Sequence, residues 1–83
     1  MTIEELLRVH HKIRWDASLS PQDKADALNR IVYQIQAAGW VFQASSDPKA
    51  DVWECAVHKD GVTHVNAIEG SIVSPDSPML RIN

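Results

Sequence analysis

Two runs of strand-forming residues flank a single Asp-Gly pair, and no other feature of the chain restricts its fold as strongly. Val52-Trp53-Glu54-Cys55-Ala56-Val57-His58 leads into Lys59-Asp60-Gly61, and Val62-Thr63-His64-Val65-Asn66-Ala67-Ile68 follows. Such runs around Asp-Gly mark a β-hairpin. Its register decides which side chains turn inward, because a slip of one residue turns a whole strand over. A two-residue loop, Asp60-Gly61, pairs Lys59 with Val62 and puts His64 and Asn66 on the face of Cys55 and Val57. A three-residue loop, Lys59-Asp60-Gly61, makes Gly61 a left-handed bulge and pairs His58 with Val62. It collects Trp53, Cys55, Val57, Thr63, Val65 and Ala67 on one face. The other face takes Val52, Glu54, Ala56, His58, Val62, His64, Asn66 and Ile68. This second register separates polar from apolar residues more cleanly and is the one the pattern favours. It predicts Trp53, Cys55, Val57 and Val65 in the core, with Glu54, His58, His64 and Asn66 on an outer sheet face.

Two helices are expected before the hairpin. Thr2 with Glu5 three residues on forms a capping box that starts a helix near Ile3. At helical spacing Ile3, Leu6, Val9, His10, Ile13 and Ala17 share one side, flanked by Leu7 and Arg14. Glu4, Arg8, His11, Lys12 and Trp15 take the opposite side, and the helix is expected to end between Asp16 and Ser18. Ser20-Pro21-Gln22-Asp23 starts a second helix: serine caps, proline fits the first turn, and Asp23 complements the positive helix end. Gly39 is placed to close it after Ala38. Leu28, Ile31, Val32, Ile35 and Ala38 make its buried stripe, and Asp26, Asn29, Arg30, Tyr33 and Ala37 face outward. The short connection makes the helices antiparallel neighbours.

Trp40-Val41-Phe42-Gln43-Ala44 reads as a strand, and residues 45–51 as a loop by composition. Glu69-Gly70 is a second turn signal ahead of a short strand at Ser71-Ile72-Val73. Met79-Leu80-Arg81-Ile82 is read as either an edge strand or a docked tail. The order α-α-β-β-β implies an α+β fold: two antiparallel N-terminal helices on one face of a three- to four-stranded antiparallel meander, with a short C-terminal strand as an option.

Length and charge narrow the function classes. Eighty-three residues are expected to form one domain with one modest core. A net charge of -3 does not suggest a polyanion binder. One cysteine makes no internal disulfide, which favours a reducing, cytoplasmic setting. No apolar run is long enough to span a bilayer, and Glu4 and Glu5 stand where a signal peptide would be basic and then apolar.

Outward aromatics are the leading functional feature. Trp15 lies among Arg8, His11 and Lys12, and Tyr33 lies near Arg30; Trp, Tyr and Arg dominate interface energetics. The bland alternative folds Trp15 under the Leu19 turn or against Trp40. Arg8, His11, Lys12 and Trp15 also resemble a stacking residue set among phosphate contacts, though Glu4 and the acidic net charge oppose nucleic-acid binding. His58 and His64, with Glu54 and Asn66 alongside, are a conceivable weak zinc site, but a structural zinc usually takes four ligands and a solvated sheet face is the simpler reading. Neither a metal nor another cofactor is expected. His10 on the apolar stripe reads as a hydrogen-bonded core histidine. Cys55, predicted inside, is a small apolar residue rather than a nucleophile, and no catalytic constellation can be assembled. The expectation is a non-catalytic module that binds another protein, or a second copy through a sheet face or edge. Val41, Val52, Ala56, Val62 and Ile68 are the apolar members of that face, and residues 71–83 contain a candidate edge.

Overall fold

The computed structural model describes residues 1–47, 50, 53–67 and 71–73. Helix α1 runs Ile3–Arg14 and α2 runs Pro21–Ala37; strands β1 (Val41–Ala44), β2 (Trp53–Lys59), β3 (Val62–Ala67) and β4 (Ile72–Val73) follow. The strands form one antiparallel sheet in the order β1-β2-β3-β4. The fold is therefore α+β with a meander, as the order of sequence signals implies. The expected C-terminal strand at Met79–Ile82 lies outside the described residues.

Local chemistry sets the helix ends. The Thr2 hydroxyl accepts from the Glu5 amide at 3.2 Å, while the Glu5 carboxylate takes the Thr2 amide at 3.3 Å, completing the capping box. Helix α1 stops at Arg14, earlier than expected, with Trp15 as its cap residue. Ser20 caps α2 by accepting from the Asp23 amide at 3.1 Å. At the other end the Trp40 amide donates to the Ile35 carbonyl at 3.2 Å and the Gly39 amide to the Gln36 carbonyl at 2.9 Å. That pair of bonds is a Schellman motif, which Gly39 permits with φ of +93°. Lys59 reaches across from the sheet to donate to the Ala38 carbonyl at 2.8 Å, satisfying another orphaned helix-end acceptor.

One core lies between helices and sheet. Leu6, Leu7, Ile31, Ile35, Cys55 and Val57 are buried together, with Trp40, Phe42 and Ile72 packed against them. Leu7, expected at the flank of its stripe, is fully buried, whereas Ala17 and Ala38 are exposed. Each fully buried aliphatic side chain contributes roughly 1.5–3 kcal/mol.

The hairpin register corrects the sequence reading. Lys59 pairs with Val62 and Val57 with His64, so the loop is the two-residue Asp60-Gly61. Both loop residues have positive φ, +52° and +79°, the type I′ geometry whose twist matches that of the flanking strands. Strand β3 is consequently turned over relative to expectation. His64 and Asn66 join Cys55 and Val57 beneath the helices, while Val65 packs with Trp53 and Ala56 in a second buried cluster. Clean segregation was the wrong criterion because both faces of the central strands are buried. Ala56 and Trp53 are as enclosed as Val57, so a burial-based choice between the two registers had no apolar face to select.

Candidate functional site

Glu54 interrupts the β2–β3 ladder. Trp53 pairs with Ala67 but Cys55 pairs with Asn66, leaving Glu54 as the extra residue of a bulge. A bulge breaks strict alternation and lets successive side chains share a face. Cys55 packs beneath the helices, and the Glu54 carboxylate is also turned to that side, where it is fully buried.

Helix α1 supplies the groups that meet it. His11 and Trp15 are one turn apart, so both side chains reach the same point. His11 Nδ1–H donates to Glu54 Oε1 at 2.6 Å, and Trp15 Nε1–H donates to Oε2 at 2.7 Å. Arg14 Nε stands 3.6 Å from Oε2. From β3, the Asn66 carboxamide donates to Glu54 Oε1 at 3.0 Å and to the Leu7 carbonyl at 2.9 Å. One buried carboxylate thus ties together β2, β3 and the end of α1. Short charge-assisted bonds of this kind are about twice as strong as neutral ones, and they offset the cost of taking the carboxylate out of water.

Two polar atoms nearby lack partners among the described residues: Asn66 Oδ1 and His10 Nδ1. His10 is buried with its ring 5.5 Å from that of Phe42, so the expectation of a hydrogen-bonded core histidine fails at Nδ1. Burial holds its pKa below the ordinary value, against the opposing pull of the Glu54 charge. Burial likewise pushes the Cys55 thiol up to about 12, with the Glu54 charge adding to the effect. Cys55 is accordingly a packed apolar residue and not a thiolate.

The outer-face group of Glu54, His58, His64 and Asn66 is not assembled. Glu54 and Asn66 are fully buried against α1. His64 is on the helix side, its ring 5.6 Å from Trp40 and its Nε2 4.0 Å from a Glu4 oxygen. His58 alone keeps the opposite face, where its Nδ1 is 2.9 Å from the Thr63 hydroxyl. The cause is the register, which inverts β3, and the bulge, which turns Glu54. Among the described residues no group of three or more His, Cys, Asp or Glu side chains is arranged to hold a metal ion.

The helix-borne candidates divide into two groups. Arg8 and Lys12 are exposed as expected, and Trp15 keeps 52% of its surface exposed although its indole N–H is anchored inside. His11, expected on the polar side, is half-buried on Glu54. The Arg14 guanidinium lies 5.7 Å from the Trp15 ring centre, within cation–π reach. Arg30 and the largely exposed Tyr33 line an open depression of about 510 Å³ on α2, with Asn29 and Gln34. Of the expected outer apolar face, Val41 is exposed and Ala56 is buried; Val62, paired with Lys59, is turned to the helix side with His64 by the same register, though it stays exposed, and Val52 and Ile68 fall outside the described residues.

Sequence reasoning singled out Glu54 and Asn66 but set them on a solvated outer face, and it missed their burial beneath α1 and their bonds to His11, Trp15 and the Leu7 carbonyl. The local signals were a carboxylate between Trp53 and Cys55 and a His-Trp pair at helical spacing, and neither reveals the other. The chain matches no protein-family model, and comparisons with curated proteins and with solved structures find no similar protein.

Proposed function

We propose that this protein is a non-catalytic interaction module that docks on an acidic segment of another protein through the flank of α1 around Trp15. The observation that carries the reading is the state of that tryptophan. Its ring is half exposed while its N–H is held on a buried carboxylate, so it is presented to solvent in a fixed orientation. Aromatic anchors with little conformational freedom left to lose are favourable hot spots. Arg14 lies 5.7 Å from its ring centre, Arg8 and Lys12 share its side of α1 by helical spacing, and the run from Arg8 to Trp15 holds no Asp or Glu, although Glu4 and Glu5 precede it and Asp16 follows. That local charge favours a partner of opposite sign. Arg30 and Tyr33 on α2 are a secondary contact in this reading. The lone, buried Cys55 is compatible with a reducing, cytoplasmic setting.

The test is site-specific photo-crosslinking from position 12 in the host cell, with and without Arg8→Glu. Arg8 is exposed, so the variant should melt with the wild type. The reading expects a discrete crosslinked protein that is lost with Arg8→Glu; the same product with both chains would overturn it. Nucleic acid is the alternative ligand for the same cations and ring. Salt-sensitive binding of a single-stranded oligonucleotide to the wild type, weakened by Arg8→Glu, would favour that alternative instead.

A further inference from the structure

We infer that two copies of this chain pair edge to edge through β1, antiparallel about a twofold axis at Gln43, to form one continuous sheet with four strands from each copy. This inference is independent of the Trp15 surface.

Strand β1 is an edge of the sheet, and its hydrogen-bonding pattern is fixed by its one neighbour. The Ser45 amide donates to the Glu54 carbonyl at 2.9 Å. Antiparallel ladders alternate, so Gln43 and Val41, paired with Ala56 and His58, also turn their main-chain groups toward β2. The main-chain groups of Phe42 and Ala44 then point to the open side, where β1 has no ladder among the described residues.

Edges of this kind are usually blunted by charge, proline, a bulge or shortness. Trp40-Val41-Phe42-Gln43-Ala44 contains neither a charge nor a proline, and its register with β2 is unbroken. The sheet's other described end strand, β4, is only two residues long. Val41 is 64% exposed on the open strand.

The sequence of β1 is self-complementary in one register. With Gln43 opposite Gln43 of the second copy, Phe42 faces Ala44 and Ala44 faces Phe42, a large side chain against a small one. Phe42 and Ala44 each exchange both main-chain bonds with their counterparts. The central pair is non-hydrogen-bonded in the ladder, which brings the two carboxamides close enough to bond to each other. The contact is closed by the twofold, so it stops at a dimer rather than a filament. Each copy carries a net charge of -3, and an uncharged strip is where two such copies meet with least repulsion.

Sedimentation equilibrium tests this on the full chain and on Gln43→Lys and Gln43→Glu. Gln43 is exposed, and far-UV circular dichroism verifies that each variant folds. The wild type is expected to shift from 9.3 kDa toward twice that mass as its concentration rises from about 10 μM to about 1 mM, a range suited to a small interface. Each variant places like charges across the axis and should stay monomeric, while an equimolar mixture of the two should recover the dimer. A wild type that remains monomeric throughout would overturn the inference. So would variants that dimerise as the wild type does, since the contact would then lie elsewhere.

Discussion

Replacing Glu54 by alanine removes the one acceptor on which α1, β2 and β3 converge. The carboxylate takes bonds from His11 at 2.6 Å, Trp15 at 2.7 Å and Asn66 at 3.0 Å. A hydrogen bond to a buried charged group contributes about 1.5–3 kcal/mol. His11 and Trp15 are partly exposed, so water recovers part of what they lose, and roughly half that weight applies to each. Asn66 is fully buried but keeps the Leu7 carbonyl, so its lost bond costs about 1 kcal/mol. Together these give about 3 kcal/mol for Glu54→Ala, a large share of the stability of a chain this size. In a chain of 83 residues that corresponds to a fall in Tm of about 12–24 °C. Glu54→Gln keeps the shape but loses the charge and one acceptor oxygen. Its NH2 meets either the Trp15 indole N–H, which only donates, or His11, which can accept only by shifting its proton to Nε2, so it should cost about half as much. Urea and thermal unfolding followed by far-UV circular dichroism measure both. A Glu54→Ala protein melting within about 3 °C of the wild type would refute the reasoning, because it would mean the carboxylate is hydrated and not clamped.

Three further outcomes follow from particular groups. The folded protein holds His10 below its ordinary value of 6.5 by burial, so the unfolded chain takes the proton first as pH falls. The stability this contributes is present above 6.5 and lost as pH falls toward the native pKa, and the difference in urea midpoint between wild type and His10→Phe should shrink, or turn in favour of the variant, over that interval. Cys55, with its thiol near 12, should resist alkylation by iodoacetamide in the native protein at mildly alkaline pH and react at once in denaturant, as mass spectrometry would record. Gly39→Ala forces a side chain to φ of +93° and sets its Cβ 3.3 Å from Lys59 Cε, so it should lower stability by about 1–2 kcal/mol in chemical denaturation.

The parts of the fold that short-range chemistry decides were legible in the sequence. Thr2 with Glu5, Ser20 with Pro21, and Gly39 each act on backbone groups within a few residues, and each sits where its helix begins or ends. The hairpin itself was legible for the same reason, since Asp60-Gly61 makes the turn. Its register was not, because the choice rested on how polar side chains would be satisfied. Asn66 is tolerated inside by the Leu7 carbonyl and Glu54, and Glu54 by His11 and Trp15, residues 43 and 39 positions away in the chain. Partners at that separation leave no periodic trace. The bulge at Glu54 has no glycine to announce it. Trp15 and Tyr33 were legible as outward aromatics from helical spacing alone, but the tether that fixes Trp15 depends on the unseen carboxylate.

The inward placement of His64 and Asn66, and with it the Asn66 bond to the buried Glu54, follows from one register, and Hα–Hα contacts across β2 and β3 read it directly. Close Hα pairs occur at the non-hydrogen-bonded positions of an antiparallel ladder. The two-residue turn places them at Ala56 with Val65 and at His58 with Thr63. Strong nuclear Overhauser effects between those two pairs are the expected result. Strong effects between Val57 and Thr63 and between Cys55 and Val65 would instead mean that β3 faces the other way and that Asn66 never reaches the helix.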